Sequence, residues 1–397
     1  MSSTALPDPR TQFGTILGLW GAGLGAAAQF GKVSVTFPML GEIYGGAGAA
    51  LGFAVSLVGF VGVLFGVTAG LIVARVGPRR ALIAALGLGA LVAGYQATLP
   101  ALPLFLASRV VEGASHLAIV VAAPTLIAQL SAVQHRGLTL SLWSTFFGVA
   151  FAVLTWGGLP LARAWGPGAL YAAHGLYMAA MAVLVAALLP RDVIGARGAP
   201  LSLAGLVADH RHIYASPFRN AAALGWVCYA GAFVAILTVM PPFLSEALRG
   251  MVIGLMPLAG IAVSMTLGVW LLRHVPAVRV AVAGFALSLV AALALWAVPG
   301  SAWPYLALAG ALGLVQGASF AAIPQLNAAP EARAQANGAL AQMGNVGTTF
   351  GTPVLVALTA AGGVNGFLVF AVVLFGGGIA LHLLTARARA RRGSEAV

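Results

Sequence analysis

Charged residues and cysteine are scarce in this sequence. Only 7% of its 397 residues are charged and 61% are hydrophobic, whereas about 25% of an ordinary soluble domain is charged. A soluble fold of this length does not hide so much apolar surface, so most of the chain needs lipid as its solvent. The single cysteine, Cys228, excludes an internal disulfide framework.

The polar-apolar alternation of a membrane β-barrel strand is also missing. The chain has long apolar runs instead, and in lipid such runs form helices, which satisfy their own backbone hydrogen bonds. We therefore predict an all-α integral membrane protein whose first span is retained, because that run is too long for a signal peptide. The twelve predicted spans are 14–40, 50–73, 81–99, 102–130, 138–162, 168–189, 219–244, 251–272, 279–298, 303–328, 337–361 and 364–385.

Basic residues outnumber acidic residues 20 to 8 and cluster between the apolar runs. This pattern indicates control of topology, not binding of nucleic acid. With the N-terminus inside, the outer loops hold only Arg163 and Arg249, and Lys32 and Arg109 lie within spans. We therefore expect a multi-pass protein of the inner membrane with both termini cytoplasmic. The inner basic residues are Arg10, Arg75, Arg79, Arg80, Arg136, Arg191, Arg197, Arg211, Arg219, Arg273, Arg279, Arg333, Arg387, Arg389, Arg391 and Arg392.

The longest polar stretch lies near the midpoint and divides the spans six and six. It predicts an N-terminal six-helix half (1–189), a cytoplasmic central loop (190–218) and a C-terminal six-helix half with a short cytoplasmic tail (219–397). Residues 201–208 of the loop are either a short helix on the inner membrane face or plain linker. The sequence 112–119 matches 316–323, which places the same motif in span 4 of each half and indicates a parallel repeat.

The segment 70–80, GLIVARVGPRR, joins spans 2 and 3. It resembles the loop signature of the major facilitator superfamily, Gly-x-Leu-Ala-Asp-Arg-x-Gly-Arg-Arg. The matching residues are Gly70, Arg75, Gly77 and Arg79. The resemblance implies that this loop is a conformational switch. The family's Asp is Ala74 here, so the latch that this acid is thought to form with span 11 is not expected.

Two other spans carry the same resemblance. The sequence 109–113, RVVEG, resembles the family's Arg-x-x-Gln/Glu-Gly signature, and 342–353 resembles the small-residue span 11 of bacterial members. Span 5 lacks the Gly-Pro pair that is typical of drug–proton antiporters. The resemblance implies a secondary transporter with two pseudo-symmetric six-helix halves that work by alternating access.

Ionisable residues inside the spans are costly and are therefore functional candidates. Lys32, the only lysine, lies deep in span 1 and either faces the cavity, reaches the outer face or pairs with Glu42. Arg109, Glu112 and His116 share one face of span 4. Glu112 is then either the site of the coupling proton or the partner of Arg109 in a fixed structural pair.

Further polar and aromatic residues complete the candidate site. If Lys32 and Arg109 both face the cavity, their field favours an anion or a zwitterion. His174 and Met178 have a spacing that suits Cu(I), although a hydrogen-bonded histidine and a packed methionine explain them equally well. The substrate and coupling candidates are Lys32, Arg109, Glu112, His116, Gln29, Gln316, Tyr229, Trp226 and Asn345.

We expect a secondary transporter that moves a small polar organic solute and acts as a monomer in the lipid bilayer, with no cofactor and no nucleic-acid partner. A copper, metal or vitamin importer is one alternative. A transporter-like sensor or assembly factor is another. No span carries a convergent catalytic set, so we do not expect an enzyme.

Overall fold

A computed structural model describes residues 10–45, 48–190 and 203–394, and all regular secondary structure in these ranges is helical. Nine helices in the described ranges are long and apolar enough to cross a membrane. This confirms the predicted all-α membrane class. The span count of twelve stays a prediction, because the helices found at predicted spans 2 and 3 are not among the nine, and predicted spans 11 and 12 lie in one of the nine.

The helices of the N-terminal half follow the predicted spans. A short helix, Phe37–Ile43, follows the first of them. The six are α1 (Phe13–Val35), α2 (interrupted, over 49–76), α3 (Pro78–Gln96), α4 (Leu102–Gln129), α5 (Leu138–Trp165) and α6 (Pro167–Leu188).

The C-terminal half begins after a helix of the central loop, Leu203–Ala215, which we call the loop helix. The last helical run, Pro330–Ser394, bends at Gly363, where φ is 54°, a value that favours glycine. The helices are α7 (Ala221–Val239), α8 (Glu246–His274), α9 (Ala277–Ala297), α10 (Ala302–Leu326), α11 (330–362) and α12 (364–394).

The two copies of the internal repeat make equivalent contacts. A Cβ on Gly113 of α4 would lie 2.5 Å from the carbonyl oxygen of Val58 in α2. A Cβ on Gly317 of α10 would lie 2.7 Å from Oγ of Ser264 in α8. Each glycine therefore lets the fourth helix of its half pack closely on the second, at a 3₁₀ segment of α2 and a π segment of α8.

The loop between α2 and α3 is fixed by two of the predicted motif residues. Gly77 separates the two helices with a φ of 94°, which a residue with a side chain rarely adopts. Arg79 donates from Nε to the carbonyl of Leu189 (2.9 Å) and from Nη2 to that of Ala186 (2.7 Å). These are the last carbonyls of α6, so Arg79 caps that helix. Arg75 is exposed.

The two halves meet tightly at one end of the bundle. α1 is buried without a break over 25–34, and α7 over 234–239. Ser34 Oγ and Thr238 Oγ1 lie 2.6 Å apart and join the two helices. Trp156 Nε1 donates to the carbonyl of Gly250 at 3.2 Å and joins α5 to α8. We call this the closed end; it is where α1 and α7 finish.

Toward the opposite end, the helices that face each other across the two halves become accessible. On one face of α10, Ala309 and Gly313 are buried, whereas Gln316 is half-buried and Phe320 is 43% exposed. α1 likewise becomes partly exposed toward its start, and α7 is partly exposed at Leu224, Trp226 and Val227. The exposure of these faces indicates a crevice between the halves at the end where α1 and α7 begin, which is the predicted cytoplasmic end, while α2 and α11 stay joined there through Val63 and Gln342. We call this the open end.

Candidate functional site

Five polar side chains from four helices meet inside the N-terminal half. We call Lys32 (α1), Gln96 (α3), Arg109 and Glu112 (α4) and His174 (α6) the buried cluster. The first four have no exposed surface, and His174 is 5% exposed. Such groups persist away from water only when they are paired.

Glu112 lies at the centre of the cluster. Its Oε1 accepts a hydrogen bond from Lys32 Nζ at 2.8 Å. Its Oε2 accepts from Gln96 Nε2 at 2.8 Å and from Arg109 Nη1. Two cations against one carboxylate leave one positive charge, and the low local dielectric strengthens each attraction. Glu112 is the only buried carboxylate among the side chains that the structure describes.

Arg109 also binds the backbone of two neighbouring helices. Nε donates to the carbonyl of Ala54 (2.6 Å), and Nη2 donates to those of Gln29 (2.6 Å) and Val55 (3.2 Å). Ala54 and Val55 precede the 3₁₀ segment Leu57–Gly59, where the α-helical hydrogen-bond pattern of α2 is interrupted. The guanidinium group thus ties α1, α2 and α4 together.

His174 uses both ring nitrogens within the cluster. Nδ1 lies 3.2 Å from Lys32 Nζ, and Nε2 lies 3.0 Å from the carbonyl oxygen of Gly25. A neutral ring protonated on Nε2 satisfies both contacts. Met178 is fully buried and packs against Gly25 and Gly89. The geometry therefore favours the hydrogen-bonded histidine and packed methionine over the copper site, since no nitrogen of His174 is free to bind a metal.

The structure gives Lys32 a partner outside its three predicted environments. Lys32 pairs with Glu112, and Glu42 is exposed at the closed end. Neither Lys32 nor Arg109 has any surface toward the crevice. An anionic solute would be favoured only if both cations faced the crevice, and in this conformation neither does.

Two other predicted candidates lie at the edge of the buried cluster. Gln29 donates from Nε2 to Ser115 Oγ at 2.9 Å, and its Oε1 is buried without a partner. His116 Nδ1 lies 3.1 Å from the carbonyl oxygen of Ala26, and its ring meets Phe30 edge-on at 5.0 Å. Both contacts hold α4 against α1.

The remaining candidates lie in the C-terminal half, away from the cluster. Trp226 and Tyr229 stack on one face of α7 with ring centroids 4.4 Å apart. Asn345 of α11 donates to the carbonyl of Ala341 at 2.8 Å and packs against Gly62 of α2. Gln316 lies on the half-exposed face of α10. The structure thus divides the predicted site into a buried polar cluster and an aromatic crevice.

Gln96 and Phe233 were not among the predicted site residues. Gln96 donates a hydrogen bond to Glu112. The one feature of the sequence that pointed to Gln96 was an amide side chain at the end of an apolar helix. Phe233 continues the stack from Tyr229 with centroids 5.8 Å apart. The spacing of residues 226, 229 and 233 on one helical face was the signal for it.

Comparisons with known proteins agree with the fold. The family model of the Major Facilitator Superfamily matches residues 17–249, more than half of the chain. A search of curated proteins found no match.

Several solved structures of transporters are similar over nearly the whole chain. A bacterial homologue of the human lysosomal transporter Spinster, in an inward-facing and unoccupied conformation, has a TM-score of 0.75 and 12% identity and covers 94% of this chain and 97% of its own. The human organic anion transporter TETRAN has a TM-score of 0.71 and 16% identity, with 93% and 98% covered. A mutant of the nucleoside transporter NupG has a TM-score of 0.71 and 13% identity, with 94% and 99% covered. At these identities the likeness concerns the fold alone.

Proposed function

Because the chain belongs to the major facilitator superfamily, we propose that it is a secondary active transporter that moves a small polar organic solute across the inner membrane by alternating access. It would act as a monomer and without a cofactor. The observation that carries this proposal is the crevice between the halves, which is sealed at the closed end and accessible at the open end. Alternating access needs two states, one open at each end of the crevice, and this arrangement is one of the two.

The contacts that seal the closed end suit such an exchange. One hydroxyl pair, Ser34–Thr238, joins α1 to α7, and one indole hydrogen bond, Trp156–Gly250, joins α5 to α8. A hydrogen bond contributes about 0.5–1.5 kcal/mol net. Breaking these two hydrogen bonds therefore costs less than breaking the buried cluster, which ties together four helices of the N-terminal half. The half would move as one body while the closed end opens.

A reversible cross-link tests alternating access. Ser34→Cys and Thr238→Cys, in a chain with Cys228 replaced by Ser, would allow oxidation to fix α1 to α7. Proteoliposomes would be incubated with a defined mixture of small organic solutes, and the accumulated solutes would be measured by mass spectrometry. We expect accumulation with the reduced protein and none with the oxidised protein. Equal accumulation in both states would exclude opening of the closed end from the mechanism.

We also propose that transport is coupled to protons through Glu112. This carboxylate contacts two cations, so gain or loss of its proton changes the charge balance that holds α1 against α4. The competing role is a fixed structural pair. Glu112→Gln keeps the shape and removes the charge, and Glu246→Gln, at an exposed carboxylate, is the matched control.

The two roles differ in one readout. If Glu112 carries the proton, Glu112→Gln that is monodisperse and still equilibrates solute without a gradient no longer accumulates more solute when a pH gradient is imposed, whereas Glu246→Gln responds as the unchanged protein does. If Glu112→Gln transports more slowly but responds equally to the gradient, Glu112 is structural and the coupling proposal is wrong.

A further inference from the structure

Aromatic rings from both halves line the crevice. On α7, Trp226, Tyr229 and Phe233 form a continuous stack, with centroids 4.4 and 5.8 Å apart and interplanar angles of 23° and 22°. Phe147 of α5 meets Phe233 at 6.2 Å and 67°, and Phe320 of α10 meets Trp226 at 5.2 Å and 68°. Phe147, from the N-terminal half, therefore contacts one end of the stack. Phe320, from the C-terminal half, contacts the other end. We call these five rings the aromatic shelf.

The shelf is not sealed into a core. Trp226, Phe233 and Phe147 are half-buried and Phe320 is 43% exposed, whereas the middle ring, Tyr229, is 6% exposed. Large rings that line a crevice without being covered are typical of a ligand site, because a ligand removes their surface from water. Gly344 of α11 makes room for the indole of Trp226, since a Cβ there would lie 2.7 Å from Nε1.

Polar atoms of the shelf are available to a ligand. Within the described part of the chain, the indole N–H of Trp226, the hydroxyl of Tyr229 and the side-chain amide of Gln316 make no hydrogen bond. They offer two kinds of donor and at least two acceptor oxygens. A few such groups on an apolar wall are what fixes the orientation of a small ligand.

Charge is missing from the same surface. The charged side chains of the described spans near the middle of the bundle are Lys32, Arg109 and Glu112, and all three have no exposed surface. An ionic solute would lose its hydration in the crevice without meeting an opposite charge. An uncharged solute has no such penalty.

We propose that the aromatic shelf binds an uncharged solute with a planar aromatic ring that carries hydrogen-bonding groups. The ring would lie beside Tyr229, between Phe147 and Phe320, where edge-to-face contacts with the stack are favourable. This inference rests on the proposed transport function, for it names the class of solute that the crevice accepts. Because the shelf has rings from both halves, binding of the solute would depend on how the two halves are placed relative to each other.

Two matched sets of probes separate ring, charge and hydrogen bonding. Nicotinamide is compared with nicotinate, its anionic analogue, and with cyclohexanecarboxamide, which lacks the aromatic ring. Uracil is compared with orotate and with 5,6-dihydrouracil in the same way. Dissociation constants would be measured by calorimetry on the purified full-length protein in detergent. We expect at least one of the two uncharged aromatic probes to bind about tenfold more tightly than both of its partners.

Variants locate the site. Trp226→Leu should weaken the preferred probe about tenfold, and Gly344→Ala should do so by displacing the indole. Trp303→Leu, at a 58% exposed tryptophan near the closed end, is the control and should leave affinity unchanged. Monodispersity and thermal unfolding would confirm that each variant is folded. The proposal is wrong if neither aromatic probe is preferred, or if folded Trp226→Leu and Gly344→Ala bind as the unchanged protein does.

Failure of this inference is distinguishable from failure of transport. If the cross-linkable protein accumulates solutes only when reduced but the anionic or non-aromatic probes bind best, the solute class alone is wrong. If the uncharged aromatic probe binds at the shelf but cross-linking leaves accumulation unchanged, the class stands and alternating access fails.

Discussion

Lys32 Nζ lies 2.8 Å from Glu112 Oε1, and neither side chain has any exposed surface. Arg109 holds the other carboxylate oxygen. One glutamate thus pairs with two buried cations from two helices. The N-terminal half is therefore organised around Glu112.

Removal of Glu112 should destabilise the protein more than removal of Lys32. Glu112→Gln leaves two buried cations without a carboxylate, and breaking a buried pair in this way costs about 3–5 kcal/mol. Lys32→Met keeps the Arg109–Glu112 pair and leaves the cluster neutral, so its loss should be clearly smaller. Thermal unfolding in detergent would measure both. If Lys32→Met lowers the stability as much as Glu112→Gln does, the unbalanced charge is not the cause of the loss and this prediction is wrong.

Arg79 should stabilise the N-terminal half through the end of α6. Its guanidinium group binds the carbonyls of Leu189 and Ala186, and hydrogen bonds from a charged donor contribute about 1.5–3 kcal/mol each when buried. Because the site is only part-buried, we expect Arg79→Ala to lower the free energy of unfolding by about 1–2 kcal/mol. Arg75→Ala, at an exposed motif residue, is the comparison. The two variants should differ in unfolding temperature, and equal values would refute the capping role.

Gly351 of α11 should not accept a methyl group. A Cβ on Gly351 would collide with the backbone of Gly231 in α7, which cannot move aside as a side chain can. We expect Gly351→Ala to cost about 1–3 kcal/mol, the usual loss from overpacking. Gly87→Ala in α3 has nothing within 4 Å and should be neutral or slightly stabilising. Unfolding temperatures of the two would test this, and tolerance of Gly351→Ala would show that α7 and α11 can separate freely.

Gln342 should hold the loop helix against both halves. Its Nε2 donates to the carbonyl of Val63 in α2 at 2.8 Å, and its Oε1 accepts from the hydroxyl of Tyr214 at 2.7 Å. Burial raises the pKa of Tyr214 to about 12, so the hydroxyl stays a donor at neutral pH. Gln342→Leu should therefore increase hydrogen exchange over 203–215 severalfold.

The readout for the loop helix is mass-spectrometric hydrogen exchange. Asn337→Leu is a control on the same helix, because Asn337 is exposed and its amide bonds only to Arg333 of its own helix. Exchange over 203–215 that is the same in Gln342→Leu and Asn337→Leu would show that Gln342 does not hold the loop helix.

The apolar runs and charge clusters predicted the helices well, because lipid imposes length and hydropathy on every span. The pairing of Lys32 was not predictable, since α1 and α4 are distant in sequence and three environments suited the lysine. Gln96 reaches Glu112 because α3 packs against α4, and His174 reaches Lys32 because α6 packs against α1. The resemblance predicted the loop that contains Arg79, but only coordinates show that Arg79 caps α6.

The distance across each end of the crevice tests alternating access most directly. Spin labels at Glu42 and Glu246 mark the closed end, and labels at Leu138 and Arg273 mark the open end; all four positions are exposed. Double electron–electron resonance in proteoliposomes, with Cys228 replaced by Ser, would compare both pairs at two pH values, with and without the solute mixture. We predict a second population in which the closed-end distance lengthens while the open-end distance shortens. A single unchanged distribution at both ends under every condition would contradict the account.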